Sequence, residues 1–449
     1  MYTIYIFRRD LRIQDNLGFN YAMENCSNII PIFIFTPEQV VKNEFKSENA
    51  IEFMIESLKE LDLNLKKYNS KLYVFQGDNI KVLKKIISKL DIENIVFNQD
   101  YTPYAKKRDL KIEKLCKKND IKCHMIHDYL LAEIGTFLKK DGNPYTVFTP
   151  FRNNALKEKI DKPKILKVKN LANPKLKDDG FIEYNINTDK LVKGGRDNGL
   201  KQLAKIKKQK KYNDDRNSLS IQTSLLSAYI KFGNISIREV YWKIRDVLGI
   251  ENDLISQLFW REFYFYITNY FPEVLQGKNF NPKYDDIEWN NDKKYFKAWC
   301  EGKTGVPVVD AGMRELNKTG YMHNRARLIT SNYLNRILGC DWRLGEKYYA
   351  SKLTDYDPAV NNGNWQWIAS TGTDPKPYFQ RLFNPWLQSK KSDKDCLYIK
   401  KWVPELESVP NKEIHEWEKY CDKYDFYMKP IRDYKEGRGE SVKMYKAVL

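Results

Sequence analysis

Along the first 130 residues, short runs of apolar and β-branched residues alternate with stretches whose apolar positions recur every three to four residues. The runs are TIYIF, IIPIFIF, KLYVF, NIVFN and IKCHMI. Helical patterns lie between them, from about Ser47 to Tyr68, then to about Leu90, then to about Asn119. Strands repeat with a period of two and helices with one of 3.6, so the alternation predicts an α/β domain: a parallel five-stranded, Rossmann-like sheet covered by helices. The helix after Ser47 opens on a capping serine and carries Ile51, Met54, Ile55, Leu58, Leu61 and Leu65 on one face, which is predicted to pack on the sheet.

The pattern then lapses. Residues 131–199 include KEKIDKPKILKVKNLANPKLKDD, rich in lysine, broken by Pro163 and Pro174, and without a sustained period. This reads as a long interdomain connector. From about Leu200 the three-to-four spacing returns, with helices predicted around 223–232, 236–248, 252–270, 309–318, 322–338 and 345–353. The expected organisation is an α/β domain over 1–130, a linker over 131–199 and an all-α domain over 200–449. A chain of 449 residues exceeds one typical domain, so two or three units with their own cores are expected.

Composition adds a partner and removes some chemistry. The formal charge of +18 suits a polyanion, since each neutralised phosphate releases counterions; a lysine-rich solvated surface gives the same count. The seven cysteines form no CxxC pair and the four histidines have no zinc-ligand spacing, so reduced thiols and no metal are expected. No 18 apolar residues run together and no secretion signal is visible, so a soluble intracellular protein is expected, with no membrane partner. No GxGxxG opens the first helix, which leaves a Rossmann dinucleotide site unsupported. All ten tryptophans fall after residue 241. They serve either as core filler or as π faces for a planar ligand, stacked bases or electron transfer.

Four patches carry candidate chemistry. DYDPAVNNGNWQWIASTGTD places Trp365 and Trp367 just after an Asn-Asn-Gly turn, among Asp355, Asp357, Asn361, Asn362, Asn364, Ser370, Thr371, Thr373 and Asp374, residue types that favour caps and ligation over helix interiors. GYMHNRARLIT sets Asn324, Arg325 and Arg327 on a helix, where Arg327 suits a carboxylate such as Asp355 and Arg325, on another face, suits phosphate. QLFWREFYFYITNYF puts Gln257 and Trp260 on one helical face with Arg261 adjacent. QTSLLSAYIKFGNIS begins with Thr223 and Ser224, predicted to cap a helix and offer N–H groups to an anion. No nucleophile, base and orienter set, no Walker lysine and no paired-carboxylate motif is present. Any enzyme here takes its chemistry from a cofactor.

At these residues the sequence resembles the DNA photolyase and cryptochrome family over nearly its whole length. FRRDLRIQDN (7–16) resembles the family's opening signature and FTPFRNN (148–154) its linker. FWREFY, EGKTGVPVVDAGMREL, GYMHNRAR and NNGNWQWIASTGTD resemble its flavin domain. The motifs are closest to those of class I-like cyclobutane pyrimidine dimer enzymes. The resemblance implies an all-α C-terminal domain that holds FAD, and light-driven repair of pyrimidine dimers in UV-damaged DNA by electron transfer from excited reduced flavin. Carried over by position, the FAD contacts are Tyr212, Thr223, Ser224, Leu225, Leu226, Ser227, Arg261, Arg327, Asp355 and Asp357, with Asn361 at the reactive edge of the flavin. The implied electron relay is Trp365, Trp342 and Trp289. The implied lesion and DNA contacts are Gln257, Trp260, Asn324, Leu328 and Trp367, with Arg216, Arg325 and Gln388 on the DNA.

Asn324 and Leu328 occupy the places where (6-4) repair enzymes carry a histidine pair, which disfavours that activity. Asn361 matches repair enzymes, where plant cryptochromes carry aspartate. A (6-4) enzyme and a photoreceptor without repair activity are the alternatives. Three features depart from the pattern: Gln257 replaces a usual glutamate, Leu225 and Leu254 replace an arginine and a flavin-contacting tryptophan, and PYFQRLFNP is one residue longer than the usual motif, so that either Gln380 or Arg381 takes the DNA-facing role. Tyr104 and Ala105 stand where a folate-binding enzyme has Asn and Glu. A deazaflavin, a flavin or an empty site remain for the antenna. A monomer suffices for such a site.

Overall fold

The computed structural model describes residues 1–184, 189–373 and 378–449; Asp374 of the fourth motif lies outside them. Five strands form in the first half: β1 (Tyr2–Ile6), β2 (Ile29–Phe35), β3 (Tyr73–Gln76), β4 (Ile92–Asn98) and β5 (Lys122–Ile126). They make one parallel sheet in the order β3-β2-β1-β4-β5, with Ile4 opposite Ile30 on one side and Ile95 on the other. The strands read as continuous apolar runs because helices cover both faces, and every residue of β2 is buried. Ser47 caps the Glu48–Lys66 helix by accepting from Ala50 N–H at 3.2 Å, and Ile51, Met54, Ile55, Leu58, Leu61 and Leu65 are buried as the spacing predicts.

The order reverses at β1 and β4, and in such sheets the carboxyl ends of the strands bound a crevice. Arg8, Arg9 and Asp10 leave β1 there, and Asp100 follows β4.

The connector is tied to the sheet. Ile29 N–H donates to Asn170 O at 2.7 Å, Ala172 N–H donates to Ile29 O at 2.8 Å, and Asp178 accepts from Val74 N–H at 3.0 Å.

The second half is helical, and five of its helices fall where the spacing places them: Ile237–Leu248, Asp253–Tyr270, Pro307–Thr319, Asn324–Arg336 and Trp342–Lys352. Two expectations need correction. The helix expected over 223–232 spans only Ser227–Lys231, because Leu225 takes a left-handed backbone (φ 52°) that interrupts the run; Thr223 and Ser224 therefore lie in a loop and cap nothing. The Asn-Asn-Gly sequence is no turn but the middle of a helix, Pro358–Ala369. Asp357 caps it and Pro358 starts it, while the gap left by Gly363 is filled by Tyr264; a Cβ on Gly363 would lie 2.0 Å from the Tyr264 ring. The Lys293–Glu301 helix, which has no counterpart among those expected, is capped by Asp292.

The cores are not separate either. One apolar cluster joins Tyr5, Phe7 and Phe19 of the sheet half to Tyr241, Phe259, Phe263 and Tyr266 of the helical half. Buried charges cross the same boundary: Arg238 pairs with Asp15 at 3.0 Å and with Asp128 at 2.8 Å, and Asp128 is also paired with Arg12 at 2.7 Å within the first half. Among the described residues no helix is long and apolar enough to cross a membrane.

Candidate cofactor and nucleic-acid site

The Asn324–Arg336 and Pro358–Ala369 helices and the segment before the latter enclose a cavity of about 540 Å³. Arg327, Asp355, Asp357, Asn361 and Trp365 line it, and so do Asn324 and Leu328, one helical turn apart.

Its charged groups hold one another. Arg327 meets Asp355 through two contacts of 2.9 and 3.1 Å, as expected from the sequence, and its guanidinium lies 5.4 Å from the Tyr321 ring centre. Asp355 also accepts from Ser227 Oγ at 2.7 Å, and Ser227 reaches Tyr321 OH at the same distance. Asp357 turns one oxygen to its own helix, accepting from Ala359 N–H at 3.1 Å, and the other to Arg9. Burial opposes its ionisation, but Arg9 and Arg261 outweigh burial and hold its pKa below the ordinary carboxylate value. Arg9 also stands 3.6 Å from Asp100 and donates to Lys231 O at 3.4 Å, so the FRRD motif reaches across the domain boundary into this site.

Lys231 was not singled out by the sequence reading, and YIKFG gave no sign of it. Its ammonium is driven down to a pKa of about 7, chiefly by burial and then by Arg9. Arg261 donates to Tyr129 O at 2.7 Å; burial lowers its pKa, while Glu262 and Asp357 work the other way.

Asn361 donates from Nδ2 to Glu346 O at 3.2 Å. With that donor committed, the amide has a carbonyl acceptor left to offer a ligand. Burial raises the Glu346 carboxyl to about 8.

Trp365 and Trp367 sit two residues apart on one helix and so point about 200° apart. Trp365 is buried, 4.8 Å from Tyr349 and 6.2 Å from Trp299 between ring centres, and it packs over Gly345, one turn beyond Trp342. Trp342 is fully buried and donates to Asn279 at 3.0 Å. Trp289 is half-buried, 6.2 Å from Tyr445. Of the three predicted relay positions, Trp365 lines the cavity, Trp342 is fully buried and Trp289 is half-buried; Tyr349 and Trp299 are aromatic neighbours of Trp365 that motif matching did not identify.

Trp367 is half-buried with the Arg381 guanidinium 4.2 Å from its ring. Arg381 is itself 2 % exposed and donates to Trp367 O at 2.7 Å, whereas Gln380 is exposed. Of the two, Gln380 is the residue that solvent and a DNA strand can reach. Trp260 shares its helix face with Gln257 and is stacked by Phe148 of the linker, with ring centres 3.6 Å apart and planes 9° apart. Leu254, in place of a tryptophan, is buried in the core.

The remaining predicted contacts lie elsewhere. Tyr212, Thr223, Ser224 and Arg216 line a second cavity of about 840 Å³, and Leu225 lines a third. Leu226 is buried. Arg216 pairs with Asp253 at 3.3 Å and Arg325 donates to Asn217 at 3.2 Å, both partly exposed; Gln388 is half-buried on the Pro385–Ser392 helix. Tyr104 is exposed beside Arg108 and Ala105 is buried, so they offer no pair of polar side chains.

A parallel sheet joined through buried ion pairs to a helical unit, with a cavity walled by the Arg327–Asp355 pair, Asn361 and Trp365, suits a flavoprotein of the light-driven class. Residues 3–169 match the family model for DNA photolyase and residues 254–447 that for the FAD binding domain of DNA photolyase. The deoxyribodipyrimidine photo-lyase of Escherichia coli is 32% identical over 98% of both chains, and that of Buchnera aphidicola from Acyrthosiphon pisum 34% identical over 98% of this chain and 96% of its own. The crystal structure of an archaeal photolyase from Sulfolobus tokodaii with two FAD molecules covers 100% of both chains at 39% identity and a TM-score of 0.89. The chain belongs to the DNA photolyase and cryptochrome family.

The residues present fit FAD. Arg327, held by Asp355, reaches the cavity lining, and Arg9 and Arg261 stand behind Asp357. Beside them, Asn361 keeps an acceptor for a ring N–H and Trp365 forms an aromatic wall.

Proposed function

We propose that the protein repairs cyclobutane pyrimidine dimers in DNA by light. The observation that carries this reading is that one cavity brings the Arg327–Asp355 pair, Asn361 and Trp365 together with Asn324 and Leu328, and holds no histidine pair. When bound, reduced FAD supplies a photoexcited electron that opens the cyclobutane ring and is returned, with no net redox change.

The chain supplies position and environment. Arg327, Asp355, Ser227 and Asp357 hold the cofactor, and Asn361 presents its acceptor to the ring. Trp365, Trp342 and Trp289 conduct electrons from the surface inward. Trp260 and Trp367 grip a dimer flipped from the duplex, a step costing only a few kcal/mol for a damaged base. Gln257 donates an amide hydrogen bond to a dimer carbonyl, and Asn324 and Leu328 complete that wall. Arg216, Arg325 and Gln388 hold the strand. The protein acts as a monomer inside the cell.

The decisive experiment uses photoreduced protein under blue light with oligonucleotides carrying one cyclobutane dimer or one (6-4) photoproduct. Reversal of the first and persistence of the second is expected; intact cyclobutane dimers after illumination overturn the reading.

A further inference from the structure

Behind Trp365 the aromatic wall of the cavity continues outward. The ring neighbours of Trp365 among the described residues are Tyr349 at 4.8 Å and Trp299 at 6.2 Å between centres, and Tyr349 and Trp299 are stacked on each other, 5.7 Å apart with planes at 13°. Trp299 in turn meets Tyr348 at 5.6 Å. Every one of these spacings lies within the range of about 4.5–7 Å over which aromatic rings touch. Electron tunnelling falls steeply with the gap between π systems, so a hopping path needs such contacts.

The four rings come from three helices. Trp299 belongs to Lys293–Glu301, Tyr348 and Tyr349 to Trp342–Lys352, and Trp365 to Pro358–Ala369. Consecutive helical residues diverge by about 100°, so Tyr349 lines the cavity while Tyr348 points elsewhere, toward Asn317 and Cys300. Trp299 touches both tyrosines, is fully buried, and has its indole N–H fixed on Thr330 O at 2.9 Å.

The tyrosines differ in what becomes of a phenol proton. Tyr349 is buried and hydrogen-bonded to Thr330 Oγ1, and burial raises its pKa, so its proton has no outlet. Tyr348 is half-buried, and its hydroxyl proton is shared between Asn317 Oδ1 at 2.7 Å and Cys300 O at 2.9 Å. The Lys352 ammonium stands 5.6 Å from the Tyr348 ring centre. A tyrosine that loses an electron becomes a strong acid, and a nearby cation favours the neutral, deprotonated radical over the charged one. The partly exposed end of this row of rings is thus the place where a lost electron leaves a stable radical.

We propose that Trp299 and Tyr348 form a second electron branch into the cofactor site, alongside Trp342 and Trp289. The inference rests on the flavin reading of that site. Trp365 gives one electron to the photoexcited cofactor, Trp299 refills Trp365, and Tyr348 refills Trp299 while its phenol proton passes to solvent. An added thiol returns one electron and one proton to Tyr348, so the chain ends unchanged. Trp299 and Tyr348 act through Trp365 and not on the cofactor itself.

The test illuminates FAD-loaded Trp342→Phe protein, made with ring-deuterated tyrosine, and reads the radical by electron paramagnetic resonance without thiol and flavin photoreduction by absorbance with dithiothreitol. Deuteration narrows a tyrosyl spectrum and leaves a tryptophanyl one unchanged. A tyrosyl radical and residual photoreduction are expected. Adding Tyr348→Phe, which keeps the ring and its packing, is expected to abolish the tyrosyl signal, and adding Trp299→Phe to abolish both signals. Flavin absorbance in the dark confirms that each variant is folded. In the otherwise unaltered chain, Tyr348→Phe is expected to remove the deuterium-sensitive part of the spectrum, which tests the branch without the Trp342 substitution. Dithionite-reduced protein bypasses every relay, so cyclobutane dimers left intact by it under light count against the repair reading and not against the branch. Absence of a tyrosyl radical, or one that survives Tyr348→Phe, overturns the proposal.

Discussion

Phe148 lies flat on Trp260, whose ring also neighbours Phe263 and Tyr264, so the linker helps fix how that tryptophan is presented. Offset or parallel stacking contributes on the order of 0.5–1.5 kcal/mol beyond the area it buries. Phe148→Ala is therefore expected to weaken binding of dimer-containing DNA about 3- to 10-fold while FAD content stays constant. Fluorescence anisotropy with damaged and undamaged duplexes checks this; equal loss on both would show that Trp260 does not read the lesion. At this scale much was legible. Asp355 and Arg327 were paired from the sequence and are paired in space, and the divergence of Trp365 and Trp367 follows from two residues of helix. Arg9, Lys231 and Phe148 were not assigned, because each acquires its partner from a distant segment: Arg9 meets Asp357 across 348 positions.

At the level of elements, local propensity and tertiary context disagree most in the Pro358–Ala369 helix. Two asparagines and a glycine read as a turn, yet a capping aspartate, an N-terminal proline and the Tyr264 ring against Gly363 outweigh them. The reverse happened at Thr223, where a helical pattern was broken by a left-handed leucine.

The neighbouring Trp342–Lys352 helix carries Glu346, and the Asp253–Tyr270 helix carries Glu262; burial first and foremost raises both carboxyls to about 8. The folded protein then holds protons that the unfolded chain releases above about pH 4.3. Stability from these groups is complete below that value and is lost as pH rises toward 8, at up to about 1.4 kcal/mol per pH unit for each. Glu346→Gln should accordingly lose less Tm between pH 6 and pH 9 than the parent. Calorimetry at the two pH values decides it, with parallel declines counting against the assignment.

For the whole molecule, the +18 charge predicts strongly salt-dependent binding. Affinity for undamaged duplex should fall roughly tenfold or more between about 50 and 200 mM salt, and Arg216→Ala should reduce the slope of log K against log salt by about one. A filter-binding series at several salt concentrations measures both, and an unchanged slope in Arg216→Ala would remove that residue from the DNA surface. The α/β and all-α architecture was readable from periodicity because the first half alternates strand and helix patterns while the second keeps the helical one. The continuous core was not, since it depends on which faces meet across the boundary and not on any pattern within one segment.

That boundary bears on how the chain comes into being. As the chain leaves the ribosome, Arg9, Asp15 and Asp128 emerge long before Arg238 and Asp357, their partners. The nascent first half carries a charged seam and an apolar face that only later segments can close, so its final docking must wait for residue 357. Translation past residue 368, and not the folding of the sheet, is the moment when the cofactor pocket first has all its walls.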